Sequence, residues 1–263
     1  MQFKNVVAAP LASLVFSFAL THAAYAAPIS GQGSWESTLQ GRDIHLNAVS
    51  ATSESAVYLY ASDLGITWLR DANLNGEMDW ATANQWASDL VTGSGATQIS
   101  DWRLPGMTIA NISSCEFEFA GTNCGYNVNP SSSEFAHLFQ LTLGNQSRYD
   151  ALGDERLLGA GLTNSGSFRN LQAGGYWLAD QFDTEAAWRF DSYDGVQDVT
   201  FKQIPFYAMA VRSGDVLAVP EPATLTLTLG GLLAWALLCG GVSALAMTRS
   251  ARFSRIAAAG RRP

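Results

Sequence analysis

The residues with the most chemistry per position stand between Asp71 and Asp79. Asp71, Asn73, Asn75 and Asp79 place side-chain oxygens at positions 1, 3, 5 and 9 of a turn, with Gly76 at position 6. That is the opening of an EF-hand-like calcium loop, in which alternate side chains of a tight turn point inward at one cation. Position 12, where a bidentate glutamate belongs, is Thr82. The same residues also make an Asn/Asp/Gly turn that caps a following helix. Calcium is therefore a candidate cofactor, with none required. Asp180, Asp183, Glu185, Asp191, Asp194 and Asp198 crowd the last third of the chain, as a second cation site or as a solvated acidic face. Among them stand Trp177, Trp188, Tyr193 and Tyr207, with Phe206 beside the last. Rings alternating along strands either fill a core or stack on sugars.

Catalytic sets are scarce. His22, His45 and His137 are the only histidines, and no Gly-x-Ser-x-Gly or Cys-x-x-Cys occurs. No Ser/His/Asp set and no zinc spacing can be assembled from these residues. Carboxylates are plentiful, so a carbohydrate-active enzyme survives only as the last of three readings. The expectation is a non-catalytic protein. Cys115 and Cys124 stand nine apart in a Ser/Gly/Asn-rich stretch, the spacing of a short loop-closing disulfide in an oxidising compartment. The third cysteine, Cys239, lies in a long apolar run near the C-terminus.

Charge and composition narrow the field. The chain has 263 residues, 48% of them apolar and 11% aromatic, which excludes a disordered chain. Residues 27–219 hold 22 Asp/Glu against 9 Lys/Arg, a net of −13. Such a body repels phosphate backbones, so a nucleic-acid partner is not expected.

These groups need elements to position them. Residues 56–61 and 66–69 have strand composition. Asp79 is placed to cap a helix running to about Leu90, with Trp80, Ala83, Trp86, Ala87 and Leu90 on one face. Ser133 is placed to cap a second helix over residues 134–143, with Phe135, Leu138, Phe139 and Thr142 inward and Gly144 at its end. Residues 31–41 read as an extended lead-in, and residues 106–133 as a long irregular stretch holding the disulfide. Strands are expected at 176–179, 187–193, 196–203 and 206–212, with Asp194-Gly195 as a two-residue hairpin turn. Two helices followed by an antiparallel sheet make an α+β domain.

The two ends carry addresses. Lys4, an apolar stretch over residues 6–20 and Ala24-Tyr25-Ala26 have the parts of a secretory signal cleaved after Ala26. Residues 223–247 are 25 residues without a charge, followed by Arg249, Arg252 and Arg255. As a helix that run would span about 37 Å, enough to cross a bilayer with its arginines inside. Just before it stand Pro220, Glu221 and Pro222, which force an extended, accessible segment. Pro-Glu-Pro, an apolar span and arginines, in that order, resemble the PEP-CTERM sorting signal. The resemblance implies an exosortase as partner, passage through the inner membrane of a Gram-negative bacterium, and a destination in the cell envelope, at the outer surface or in the extracellular matrix. The organisation is then signal 1–26, body 27–218 and sorting region 219–263.

The body itself has a familiar series. Ile66-Thr67-Trp68-Leu69, Trp80-Ala81-Thr82-Ala83-Asn84 and Asp101-Trp102-Arg103-Leu104-Pro105 are followed by Tyr176-Trp177, Ala187-Trp188-Arg189-Phe190 and Tyr207-Ala208-Met209-Ala210-Val211-Arg212. The series resembles the Lcl C-terminal domain family over about residues 34–214. The resemblance implies a C-type-lectin-like fold and binding of sulfated or other polysaccharides, with no established catalytic residue. A purely structural biofilm protein is the alternative. Within the Asp-Trp-Arg-Leu-Pro block, Trp102 and Leu104 are suited to plugging a core and Arg103 to clamping a carboxylate through both its N–H arms.

Overall fold

A computed structural model describes residues 26–108 and 114–217. The sorting residues Pro220, Glu221 and Pro222, the apolar run 223–247 with Cys239, and the export signal up to Tyr25 lie outside the described residues. Among the described residues no helix is long and apolar enough to cross a membrane.

The body is α+β, with two antiparallel sheets and few helices. A short helix α1 (Trp35–Thr38) leads into β1 (Leu39–Arg42), then β2 (Ala48–Val49), β3 (Tyr58–Ala61) and β4 (Ile66–Leu69). Helix α2 (Trp80–Asp89) follows, then β5 (Gly125–Tyr126) and α3 (Glu134–His137), which runs on as a π-turn over Leu138–Thr142. The described residues close with β6 (Gly175–Gln181), β7 (Ala186–Asp191), β8 (Val196–Phe201) and β9 (Val211–Ser213). The first sheet has the order β2-β1-β3-β4-β9 and the second β5-β8-β7-β6. The expected lead-in is thus α1 and β1, and the sheet is not confined to the last third. The early strands build a sheet of their own, which β9 joins beside β4.

Why the early strands read as apolar runs is visible in their pairing. Leu59 pairs with Trp68, and Tyr58 with Leu69. Trp68 points into the main core, with Phe135 and Phe168 edge-on to its ring at 6.4 and 6.1 Å. Tyr58 points the other way and stacks on Trp102 at 5.8 Å. Both faces are covered, so alternation disappears and every residue of β4 is buried. Both predicted helices form with their caps. Asp79 Oδ1 accepts from the Thr82 N–H at 2.8 Å, and Ser133 Oγ from the Ala136 N–H at 3.0 Å.

The two sheets are tied by the Asp-Trp-Arg-Leu-Pro block. Arg103 exchanges both backbone hydrogen bonds with Val211 of β9, at 2.8 Å each. Two residues on, the Pro105 carbonyl accepts from Ala179 of β6 at 2.8 Å. Trp102 and Leu104, on either side of Arg103 in the chain, are both buried. The Arg103 guanidinium grips Glu134 with both arms, Nη1 to Oε2 at 2.6 Å and Nη2 to Oε1 at 2.7 Å. Glu134 Oε2 also accepts from the Gly106 N–H at 2.7 Å, and Asp180 Oδ2 from the Met107 N–H at 2.6 Å. The clamp expected of Arg103 therefore joins the strap to the first turn of α3. Hydrogen bonds to Glu134 hold the Arg103 guanidinium above its ordinary range.

Candidate functional site

The loop with calcium-like spacing is occupied by its own hydrogen bonds. Both carboxylate oxygens of Asp79 are held by Thr82, Oδ1 by its N–H and Oδ2 by its hydroxyl at 2.9 Å. These contacts hold the Asp79 carboxyl below its usual range. Asp71 Oδ1 accepts from the Asn73 N–H at 3.0 Å and Oδ2 from the Asn170 amide at 2.9 Å. Asn75 stands against the Trp86 indole N–H and the Leu74 carbonyl. Asn73 Oδ1 is buried without a donor. One amide oxygen is thus unclaimed beside two carboxylates that the fold already uses, where calcium takes six to eight oxygens. The arrangement is a helix-capping turn. Among the described residues no group of three or more His, Cys, Asp or Glu side chains gathers where it could hold a metal.

The four aromatics expected to meet sugars part company. Trp177 and Trp188 are fully buried, which corrects the reading of both as stacking platforms. The Trp177 indole donates to the Met78 carbonyl at 2.9 Å, and its ring meets Phe206 edge-on. It packs with Ala83 and Ala87 of α2, while Trp188 lies in the main core with Phe135 and Phe139. Both faces of this part of the second sheet are covered, so rings on either side of a strand are core. Tyr207 is half-buried, its ring 5.4 Å from that of Tyr176.

Tyr193 alone of the four is exposed, at 62%. A change of turn type puts it there. Asp191 and Val196 are the last pair of the β7–β8 ladder, so the hairpin loop has four residues and not the expected two. Ser192 is anchored on the β6 side, its backbone N–H donating to the Gly174 carbonyl at 2.9 Å and its hydroxyl to Gln172 O at 2.8 Å, while the Gly195 N–H turns back to the Asp191 carbonyl at 2.8 Å. Tyr193 then sits at the tip of the loop. Gly195 closes it with φ +69°, and a Cβ there would meet Ser147 Cα at 2.7 Å, so no larger residue fits.

Tyr193, Asp194, Arg148, Glu155, Arg156 and Leu157 line one open depression of about 280 Å³. The Asp194 carbonyl accepts from the Arg148 N–H at 2.7 Å, which fixes the two loops together. The Arg148 side chain lies between two carboxylates, with Nη2 2.8 Å from Glu155 Oε1 and Nη1 3.5 Å from Asp194 Oδ1. Hydrogen bonding to Glu155 holds that guanidinium above its ordinary range. Arg156 turns its Nη1 back onto the Ser147 and Tyr149 carbonyls.

The disulfide loop adjoins this surface. Cys115 and Cys124 are bonded. Phe119 of the enclosed segment stacks on Tyr126 at 5.8 Å, and Tyr126 meets Tyr149 at 4.8 Å. Asn127 Nδ2 donates to the carbonyls of both Phe119 and Tyr149 at 2.8 Å, knitting the disulfide loop to the loop that carries Arg148. Sequence reasoning missed Arg148, Glu155 and Leu157, because nothing local ties them to Tyr193. Of the histidines, His137 Nε2 stands 2.9 Å from Asp63 Oδ2, and His45 is exposed in the loop after β1. No protein-family model matches the chain, and neither a curated protein nor a solved structure matches it.

Proposed function

We propose that the protein is a non-catalytic, exported protein of the cell surface or the exopolysaccharide matrix, and that its body is a lectin-like module binding polysaccharide. The observation that carries the binding reading is the exposed ring of Tyr193, set beside Arg148, Glu155 and Asp194 on an open surface. A flat aromatic with a few fixed polar groups is how proteins meet sugar rings, whose faces are apolar and whose edges carry hydroxyls. The order Pro220-Glu221-Pro222, apolar run and arginines supports delivery through an exosortase, with residues 223–247 as a transmembrane helix until processing. The disulfide suits an oxidising compartment beyond the inner membrane.

Two measurements test the proposal. Saturable binding of the full-length chain to purified polysaccharide is expected, and its absence across neutral and acidic polymers would favour a purely structural matrix protein. Mass spectrometry of the surface-released protein is expected to show loss of the tail. Glu221→Ala with Pro222→Ala should leave the full-length chain in the membrane fraction, and unchanged processing of that variant would remove the exosortase reading.

A further inference from the structure

We infer that the Tyr193 surface takes an uncharged polysaccharide, and that anionic chains, whether sulfated or uronic, are excluded from it. The inference rests on the polysaccharide reading above and adds the chemical class of the ligand.

The first argument is what the cations of the body are doing. Residues 27–217 carry nine Lys and Arg. Arg42 is paired with Asp215, Arg103 with Glu134, Arg169 with Glu54, and Arg189 with both Asp191 and Asp198. Arg148 is paired with Glu155 and Asp194. Arg70 donates to the Ser53, Ala56 and Ser167 carbonyls, and Arg156 to those of Ser147 and Tyr149. Lys202 donates to the Asp183 and Thr184 carbonyls and lies 4.7 Å over the Trp80 ring. The ninth, Arg212, sits half-buried on β9, outside the depression. Eight of nine cations are thus committed to partners within the body. A sulfated or uronic chain is held by cations that are free to neutralise it.

The second argument is local. The depression holds Arg148 and Arg156 against Glu155 and Asp194, a net charge of zero inside a body of net −13. An anion that took the remaining N–H groups of Arg148 would lie beside the Glu155 and Asp194 carboxylates that already share that guanidinium. Repulsion then opposes what the arginine gains. An uncharged sugar meets no such repulsion. Each hydroxyl both donates and accepts, so it can donate to Glu155 or Asp194 and accept from Arg148 while their pairing stands. The C–H face of the ring meets the electron-rich face of Tyr193.

The test uses the full-length chain and four polymers. Dextran and dextran sulfate share a backbone and differ in charge. Galactomannan and alginate add a second neutral and a uronic chain. Saturable binding to dextran or galactomannan is expected, changing less than about twofold between roughly 0.05 and 0.5 M salt. Tyr193→Ala should weaken it about tenfold, and Tyr193→Phe should keep most of it. Binding to dextran sulfate or alginate as tight as, or tighter than, binding to the neutral polymers would overturn the inference and leave the polysaccharide reading standing. Neutral binding that Tyr193→Ala does not weaken would overturn the assignment of the site. No saturable binding to any of the four would overturn the polysaccharide reading itself.

Discussion

Replacing Arg103 by Met should destabilise the body by about 2–3 kcal/mol, and the figure follows from the geometry of Glu134. The Glu134 side chain is 10% exposed and accepts three short N–H contacts, two from Arg103 and one from Gly106. Removing the guanidinium leaves one donor of the three. An uncompensated buried carboxylate costs about 3–5 kcal/mol. Arg103 is itself 38% exposed, so water reaches the vacated side and returns part of that cost. At roughly 2–4 °C per kcal/mol for a domain of this size, Tm should fall by about 4–12 °C. The assay is urea unfolding of the full-length chain by tryptophan fluorescence, which the neighbouring, buried Trp102 reports directly. Glu134→Leu joined to Arg103→Met removes both charges together, and the pair should recover more than half of the loss. A loss under about 0.5 kcal/mol for Arg103→Met, or strict additivity of the two changes, would refute the account of the clamp.

Four further outcomes are expected. Trp188→Ala should cost about 3–5 kcal/mol by emptying a core position, whereas Tyr193→Ala should cost under about 0.5 kcal/mol, both read from urea midpoints. Separating Cys115 from Cys124 with Cys→Ser changes should cost about 2–3 kcal/mol of chain entropy, seen as a lower Tm that reductant no longer changes. Asp79→Ala should cost about 1 kcal/mol by removing the helix cap, equally in calcium and in chelator; a cost confined to calcium would favour the metal reading instead. Burial raises the Asp198 carboxyl above its ordinary 3.8, against the pull of Arg189 and with help from Asp191. The folded state then holds that proton more tightly than the unfolded chain, so stability falls as pH rises from 3.8 through the raised value. Unfolding midpoints of Asp198→Asn should lack this part of the fall, and parallel pH profiles of the two proteins would count against it.

The sequence by itself settled the elements whose causes are local. Asp79 and Ser133 announce their helices because a side-chain oxygen three residues before an orphan N–H satisfies it without help from elsewhere. Ile66–Leu69 is the strand its composition describes, and the spacing of Cys115 and Cys124 closes the loop it suggests. The fitness of Arg103 to grip a carboxylate could be read from its neighbours, but Glu134 as the partner could not, since it stands 31 positions further along the chain.

Only the tertiary structure decided which faces are covered. Trp177, Trp188 and Tyr193 look alike along the chain, yet two are core and one is surface. Burial on both sides of the second sheet depends on α2 and α3 arriving from distant sequence, and the exposure of Tyr193 on Ser192 bonding to residues 172–174. Whether the Asp71–Asp79 turn gathers its oxygens or spends them was equally out of reach, because Asp71 is claimed by Asn170, 99 residues away. The pairing of the cations was hidden in the same way. Composition gives the net charge of a body, but whether an arginine is available to a ligand depends on which carboxylate or carbonyl the fold brings beside it.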